Sequence, residues 1–164
     1  MENRPSPPEH NLFDAFREDH AVLGRGFHEL SQCLRGNDAA GAREAAERID
    51  TAAGAHIAFE EKHFYPALAR MLGAPEVRRM YSEHGKGLAA VRALLERDPG
   101  APLPEGERRR LMELSQAMEA HIAECGEMFQ AMGRLSEAKQ AALYRQLTVW
   151  REKHPRWTGL PTSG

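Results

Sequence analysis

Charge of one sign, long apolar runs and cysteine are all scarce in this chain, and each scarcity removes a class of protein. The formal net charge is only -2 at pH 7 over 164 residues, too little to draw the chain to nucleic acid or to anionic lipid. No apolar run approaches the roughly 18 residues needed to cross a bilayer. Residues 1–11 are polar and proline-rich, without the apolar stretch of a signal peptide. Two cysteines, Cys33 and Cys125, are too few for a disulfide framework. No Gly-rich phosphate loop or hydrolase nucleophile motif occurs. A cytoplasmic protein with no nucleic-acid or membrane partner, monomeric or weakly self-associating, is therefore expected.

Aromatic residues make up 7% of the chain and β-branched residues are few, which argues against sheet. Ala, Leu, Glu and Arg abound instead, and these favour helix. The length suits one domain with a core of its own.

Residues 1–10 read as a flexible tail. From Asn11, the residues Leu12, Phe16, Leu23, Phe27, Leu30 and Leu34 recur in steps of three and four, a stripe along one helix. His20 takes a slot in that stripe. The helix should stop at Arg35-Gly36-Asn37-Asp38. A second helix is predicted from Ala39–Gly41 to about Leu72, with Ala42, Ala46, Ile49, Ala53, His56, Glu60, His63, Ala67 and Met71 inward and a kink at Pro66. Gly73-Ala74-Pro75 reverses the chain. A third helix, to Arg97, turns Val77, Tyr81, His84, Leu88, Val91 and Leu95 inward. After the break at residues 98–104, a fourth carries Leu111, Leu114, Met118, His121, Cys125, Met128, Met132 and Leu135. Ser136 would cap a last, shorter helix through Trp150, and the Pro/Gly-rich end beyond His154 should be irregular. The expected fold class is all-α: an antiparallel up-down-up-down four-helix bundle over residues 11–135, with an additional C-terminal helix and tail in 136–164.

Histidines fill matching slots. His56-Ile57-Ala58-Phe59-Glu60 is echoed by His121-Ile122-Ala123-Glu124-Cys125; His56 follows His20 by 36 residues and His121 follows His84 by 37. Each half is a helical hairpin with one inward histidine on each helix. Buried imidazole needs hydrogen bonds or a metal. Glu60, one turn after His56, shares its helix face and can reach the same ion. Imidazole with carboxylate suits iron, zinc or manganese better than calcium. His63 lies on the same face, and Tyr81, one turn before His84, is within reach of a metal-bound group. His28 falls off the seam, at the surface.

His20, then His56-x-x-x-Glu60-Glu61 followed by Phe64-Tyr65-Pro66, then Glu83-His84, then His121, resembles a haemerythrin-like (HHE cation-binding) domain over about residues 12–135. The resemblance implies two irons, one held by His20 and His56, the other by His84 and His121, with Glu60 as a bridging carboxylate. It also implies a small diatomic ligand, oxygen or nitric oxide, or peroxide, handled in redox stress or sensing. The chain departs from the family pattern where a second carboxylate usually follows the second-repeat histidine: Cys125 and Gly126 stand there. Cys125 would then bind as a thiolate, or Glu124 would swing in as a substitute carboxylate, or the second metal position would be weak. Two further readings are an oxidase or oxygenase whose substrate enters beside the incomplete position, and an iron- or oxygen-responsive interaction protein using the helix that bears Trp150.

Overall fold

A computed structural model describes residues 11–124 and 126–161, with residues 126 and 127 in backbone only. Helix α1 (Leu12–Arg35) begins at Asn11, whose side chain accepts the Asp14 N–H, a standard cap. Every residue of its expected stripe is buried. Asp38 caps α2 (Ala39–Phe59) by accepting from the Gly41 N–H. Alanines 42, 45, 46 and 53 line the buried side of α2, and such small side chains let neighbouring helices approach closely.

Beyond Phe59 the chain departs from the sequence reading. Residues Glu60–Phe64 form a widened π-type turn before α3 (Tyr65–Leu72). The Tyr65 N–H donates to the Glu60 carbonyl, a bond to the fifth residue back. In that frame the Glu61 carbonyl would look to residue 66, and proline has no N–H to give. The Tyr81 hydroxyl donates to it instead, at 2.6 Å. The inserted residue rotates the helix face. Phe64, Tyr65 and Leu68 are buried where His63, Ala67 and Met71 were expected; Met71 is exposed. Pro66 therefore acts through a turn that begins six residues before it.

Gly73, at φ +84° in the region glycine favours, reverses the chain into α4 (Ala74–Glu96). The buried seam of α4 runs through Met80, His84, Gly87, Ala90, Val91 and Leu94, so Val77, Tyr81, Leu88 and Leu95 sit at its edge. The expected fourth helix is two: α5 (Glu105–Ala123) ends at Glu124, and α6 (Gly126–Gly133) follows. Glycine at 126 is a poor helix former. Cys125 lies outside the described residues. Helix α1 packs on α2 and α5, and α4 packs on α5 and α2, the ring of an up-down-up-down bundle. Among the described residues no helix is long and apolar enough to cross a membrane.

Ser136 caps α7 (Glu137–Lys153), which lies across α1 and α2 and buries Leu143 and Leu147. The residues after it hold one short turn, Trp157–Gly159, and are packed on the bundle. His154 turns left-handed at φ 47°, and 155–161 run back over the bundle as a strap. Trp157 is 2% exposed and its ring meets Phe27 edge-on. Two glycines make room: a Cβ on Gly54 would lie 1.9 Å from the Pro155 carbonyl oxygen, and one on Gly87 2.9 Å from the Trp157 ring. Buried Asp50 accepts from the Thr158 N–H at 2.8 Å and hydroxyl at 3.0 Å. A Gly54→Ala substitution should therefore dislodge the strap and destabilise the protein by about 1–3 kcal/mol. The check is a lower urea midpoint with red-shifted Trp157 fluorescence in a Trp150→Phe background; an unchanged midpoint and spectrum would contradict this account of the strap.

Candidate metal centre

Four helices each deliver one histidine to one level of the bundle: α1 His20, α2 His56, α4 His84 and α5 His121, all buried. Each hairpin pairs its own two rings, with centroids 4.8 Å apart for His20 and His56 and 4.9 Å for His84 and His121. Glu60, 2% exposed, opens the π-type turn and reaches into the middle. Its Oε1 lies 2.8 Å from His56 Nε2 and 3.9 Å from the Nε2 atoms of both His20 and His84. Among the described residues His20, His56 and Glu60 form the group whose ligand atoms all fall within 4.8 Å of one another.

The contact between His56 and Glu60 is informative because it is close without being a hydrogen bond. His56 Nε2 has no hydrogen-bond partner despite the carboxylate 2.8 Å away. The two atoms are close enough together to serve one ion. Nitrogen and carboxylate donors of this kind suit a first-row transition metal, so the residues fit the metal the sequence suggests.

Behind these side chains stand groups that orient two of the histidines. Asp19 Oδ2 takes the His56 Nδ1–H at 2.9 Å, and Glu83 holds His121 Nδ1. Each acid directly precedes a histidine, in Asp19-His20 and Glu83-His84, and serves the histidine on the other helix of its hairpin. Each is itself held by an arginine: Arg151 of α7 reaches Asp19 at 2.9 Å, and Arg79 of α4 reaches Glu83. Fixing Nδ1 in this way sets the tautomer and leaves Nε2 for the metal. The remaining wall is aromatic, with Phe16 against His20, His56 and Phe64. The Tyr65 hydroxyl lies 3.0 Å from His84 Nε2. A cavity of about 20 Å³ opens between His20, Glu60, Tyr65 and His121, with Arg79 and Glu124 at its outer end.

His20, His56, Glu60, His84 and His121 thus come together as the sequence anticipates. Glu124 does not join them: its carboxylate is exposed and pairs with Arg79 at 3.0 Å, because α5 has already ended there. His63 sits outside, in a surface groove beside Trp150 and Arg145. Tyr81 is spent on the Glu61 carbonyl. His28 is exposed, as expected. The sequence reading did not single out Asp19 or Arg151, and it quoted Glu83 and Tyr65 only as parts of the motif, without a role. The acid-histidine doublets were visible in the sequence; Tyr65 was hidden by the shifted register of α3.

Electrostatics follow from burying these groups together. Burial alone would push the His56 pKa down, but the Glu60 and Asp19 carboxylates raise it from 6.5 to about 9. Burial would raise Glu60, yet the surrounding imidazoles, His56 foremost, hold it well below its usual 4.5. Burial lowers both His20 and His121, against the opposing pull of Glu60. His56 titrates higher folded than unfolded, so its contribution is full below pH 6.5 and fades as pH rises through about 9. His20 and His121 act in reverse: theirs is present above 6.5 and is lost as pH falls. The metal-free protein should be most stable near neutrality and lose stability on both sides. Thermal melts across this range test it, and His56→Gln should flatten the alkaline limb; a melting temperature that climbs from neutral pH to pH 9 would contradict the role given to His56.

Residues 11–132 match the model of the hemerythrin HHE cation binding domain. Neither among curated proteins nor among solved structures is there a match to this chain. The matched segment is most of the chain and contains every helix that brings a histidine to the centre, so the protein belongs to the haemerythrin HHE cation-binding family.

Proposed function

We propose that this protein is a non-haem iron protein whose centre holds two irons and meets a small diatomic ligand, oxygen or nitric oxide, or peroxide, in redox stress or sensing. The observation that carries the reading is Glu60, a buried carboxylate facing three imidazoles, with His56 Nε2 beside it and not bonded to it. His20 and His56 would hold one iron, His84 and His121 the other, and Glu60 would lie between them. Asp19 and Glu83 keep the Nδ1 protons on the outside of the ring pair, which leaves the inner nitrogens as lone-pair donors. Iron, when bound, supplies an open coordination position at which a diatomic ligand is held and electrons are exchanged. The buried rings of Phe16 and Phe64, packed beside the histidines, would help to exclude bulk water there, and the Tyr65 hydroxyl would offer a polar contact.

Cavity size supports a diatomic ligand over an organic substrate. The opening of about 20 Å³ beside Glu60 is the space of about one water molecule. An oxidase or oxygenase acting on an organic compound would need more room there. Cys125 as a thiolate ligand of the second iron belongs to the same proposal, and its variant tests it.

The decisive experiment is anaerobic reconstitution with ferrous iron, metal counting by mass spectrometry, and exposure to oxygen or nitric oxide. Two irons per chain and a change in the visible spectrum are expected; no bound iron would overturn the proposal. Glu60→Ala should lose both irons, His84→Ala should keep at most one, and Cys125→Ala should alter the spectrum if the thiolate binds. Arg151→Ala should weaken iron binding by about tenfold through the freed Asp19, read by competition with a chromophoric chelator. Wild-type affinity in that variant would show that Asp19 holds His56 without help from α7.

A further inference from the structure

His84 has two faces. Its Nε2 looks to Tyr65 and Glu60 inside the bundle, while its Nδ1, on a ring only 2% exposed, has no hydrogen-bond partner. The Nδ1 atoms of His56 and His121 differ: Asp19 holds the first and Glu83 the second. Such an orphaned donor costs free energy unless something meets it. On this outer side of the ring lies a cavity of about 100 Å³, separate from the small opening beside Glu60. Helix α4 and the π-type turn form its inner side, and the strap forms its outer wall.

The polar end of this cavity is made by His84 and by the Glu61 carboxylate, whose Oε1 is 3.6 Å from Nδ1. That separation is too long for a direct hydrogen bond. In the tautomer in which His84 Nε2 accepts from the Tyr65 hydroxyl, Nδ1 carries the proton, and the pair then offers one donor and one acceptor side by side. Leu88, Trp157 and Leu160 give the cavity its apolar lining. The Tyr81 hydroxyl also borders the space but has given its proton to the Glu61 carbonyl.

We propose that this cavity is a second binding site, for a small neutral molecule that carries a hydrogen-bond acceptor and donor on adjacent atoms beside a short apolar body, as a primary carboxamide does. The carbonyl oxygen of such a guest accepts from His84 Nδ1 and its N–H donates to Glu61, closing the gap from both sides. The apolar body lies against Leu88, Trp157 and Leu160. A carboxylate of the same shape is rejected, because it brings no donor and meets the charge of Glu61. Volume limits the guest to about four or five heavy atoms, since a cavity of about 150 Å³ takes the six of benzene and this one is about 100 Å³. The site needs no metal, and it touches the proposed centre only through the His84 ring.

The test uses the metal-free full chain, so it stands or falls apart from the iron proposal. Propionamide is titrated against protein labelled with ¹⁵N-histidine, with propionate as the matched anion. Expected is a saturable shift of the His84 Nδ1 resonance by propionamide, with Kd on the order of 1 mM, cross-relaxation from the propionamide methyl to the Trp157 ring, and no saturable shift with propionate. Leu160→Trp, which fills the cavity from the strap, should weaken propionamide at least tenfold. Should that variant fail to fold, Glu61→Gln probes the same site without a change of volume: the amide should still bind and the discrimination against propionate should shrink. Absence of a saturable His84 shift, equal binding of the two compounds by the wild type, or a crystal soaked in propionamide holding only water in the cavity would overturn the proposal.

Discussion

Glu60 is a carboxylate with almost no contact with solvent, and burying such a charge unmatched is among the most expensive things a fold can do. Three imidazoles surround it, and without metal the nearest, His56, becomes a cation that stays charged well above neutral pH. The arrangement only makes sense as a whole. Removing the carboxylate leaves imidazoles facing one another, and removing His56 leaves the carboxylate unmatched. A metal cation would take over the positive role and return His56 to its neutral form, so the site is built around a charge that either a proton or a metal can supply. The π-type turn, the second layer of acids and the aromatic wall all serve to hold that one carboxylate where it is.

The two hairpins solve the second-layer problem in the same way and secure it differently. In each, the acid before the first histidine fixes the second histidine, as Asp19 does for His56 and Glu83 for His121. Glu83 is steadied from within its own helix by Arg79, one turn earlier. Asp19 depends on Arg151, which arrives from α7 outside the bundle. The half of the centre with the complete His-His-Glu group is therefore also the half tied to the C-terminal helix.

Much of this was legible in the sequence because it rests on helical period. The stripe from Leu12 to Leu34 and the inward places of His20, His56, Glu60, His84 and His121 follow from steps of three and four residues, and Ser136 was legible as a cap. What escaped the sequence has one physical cause in each case. A single inserted residue at Glu60–Phe64 changed the face of α3, which hid Tyr65 and misplaced His63. The early end of α5 took Glu124 to Arg79. Trp157 is held by Gly54, Gly87 and Asp50, contacts remote in sequence that no periodicity encodes, so its burial looked like an irregular tail.

The widened turn has a consequence for how relatives of this chain should vary. Proline at 66 withholds an N–H from the Glu61 carbonyl, and the hydroxyl of Tyr81, on a different helix, supplies the missing donor. The two positions are coupled through that one carbonyl. A lineage that replaces Pro66 with a residue bearing an N–H frees position 81 to become phenylalanine, whereas one that keeps the proline and loses the hydroxyl strands a carbonyl next to the centre. Loss of the hydroxyl at 81 should accordingly go with loss of the proline at 66, while the proline can change alone.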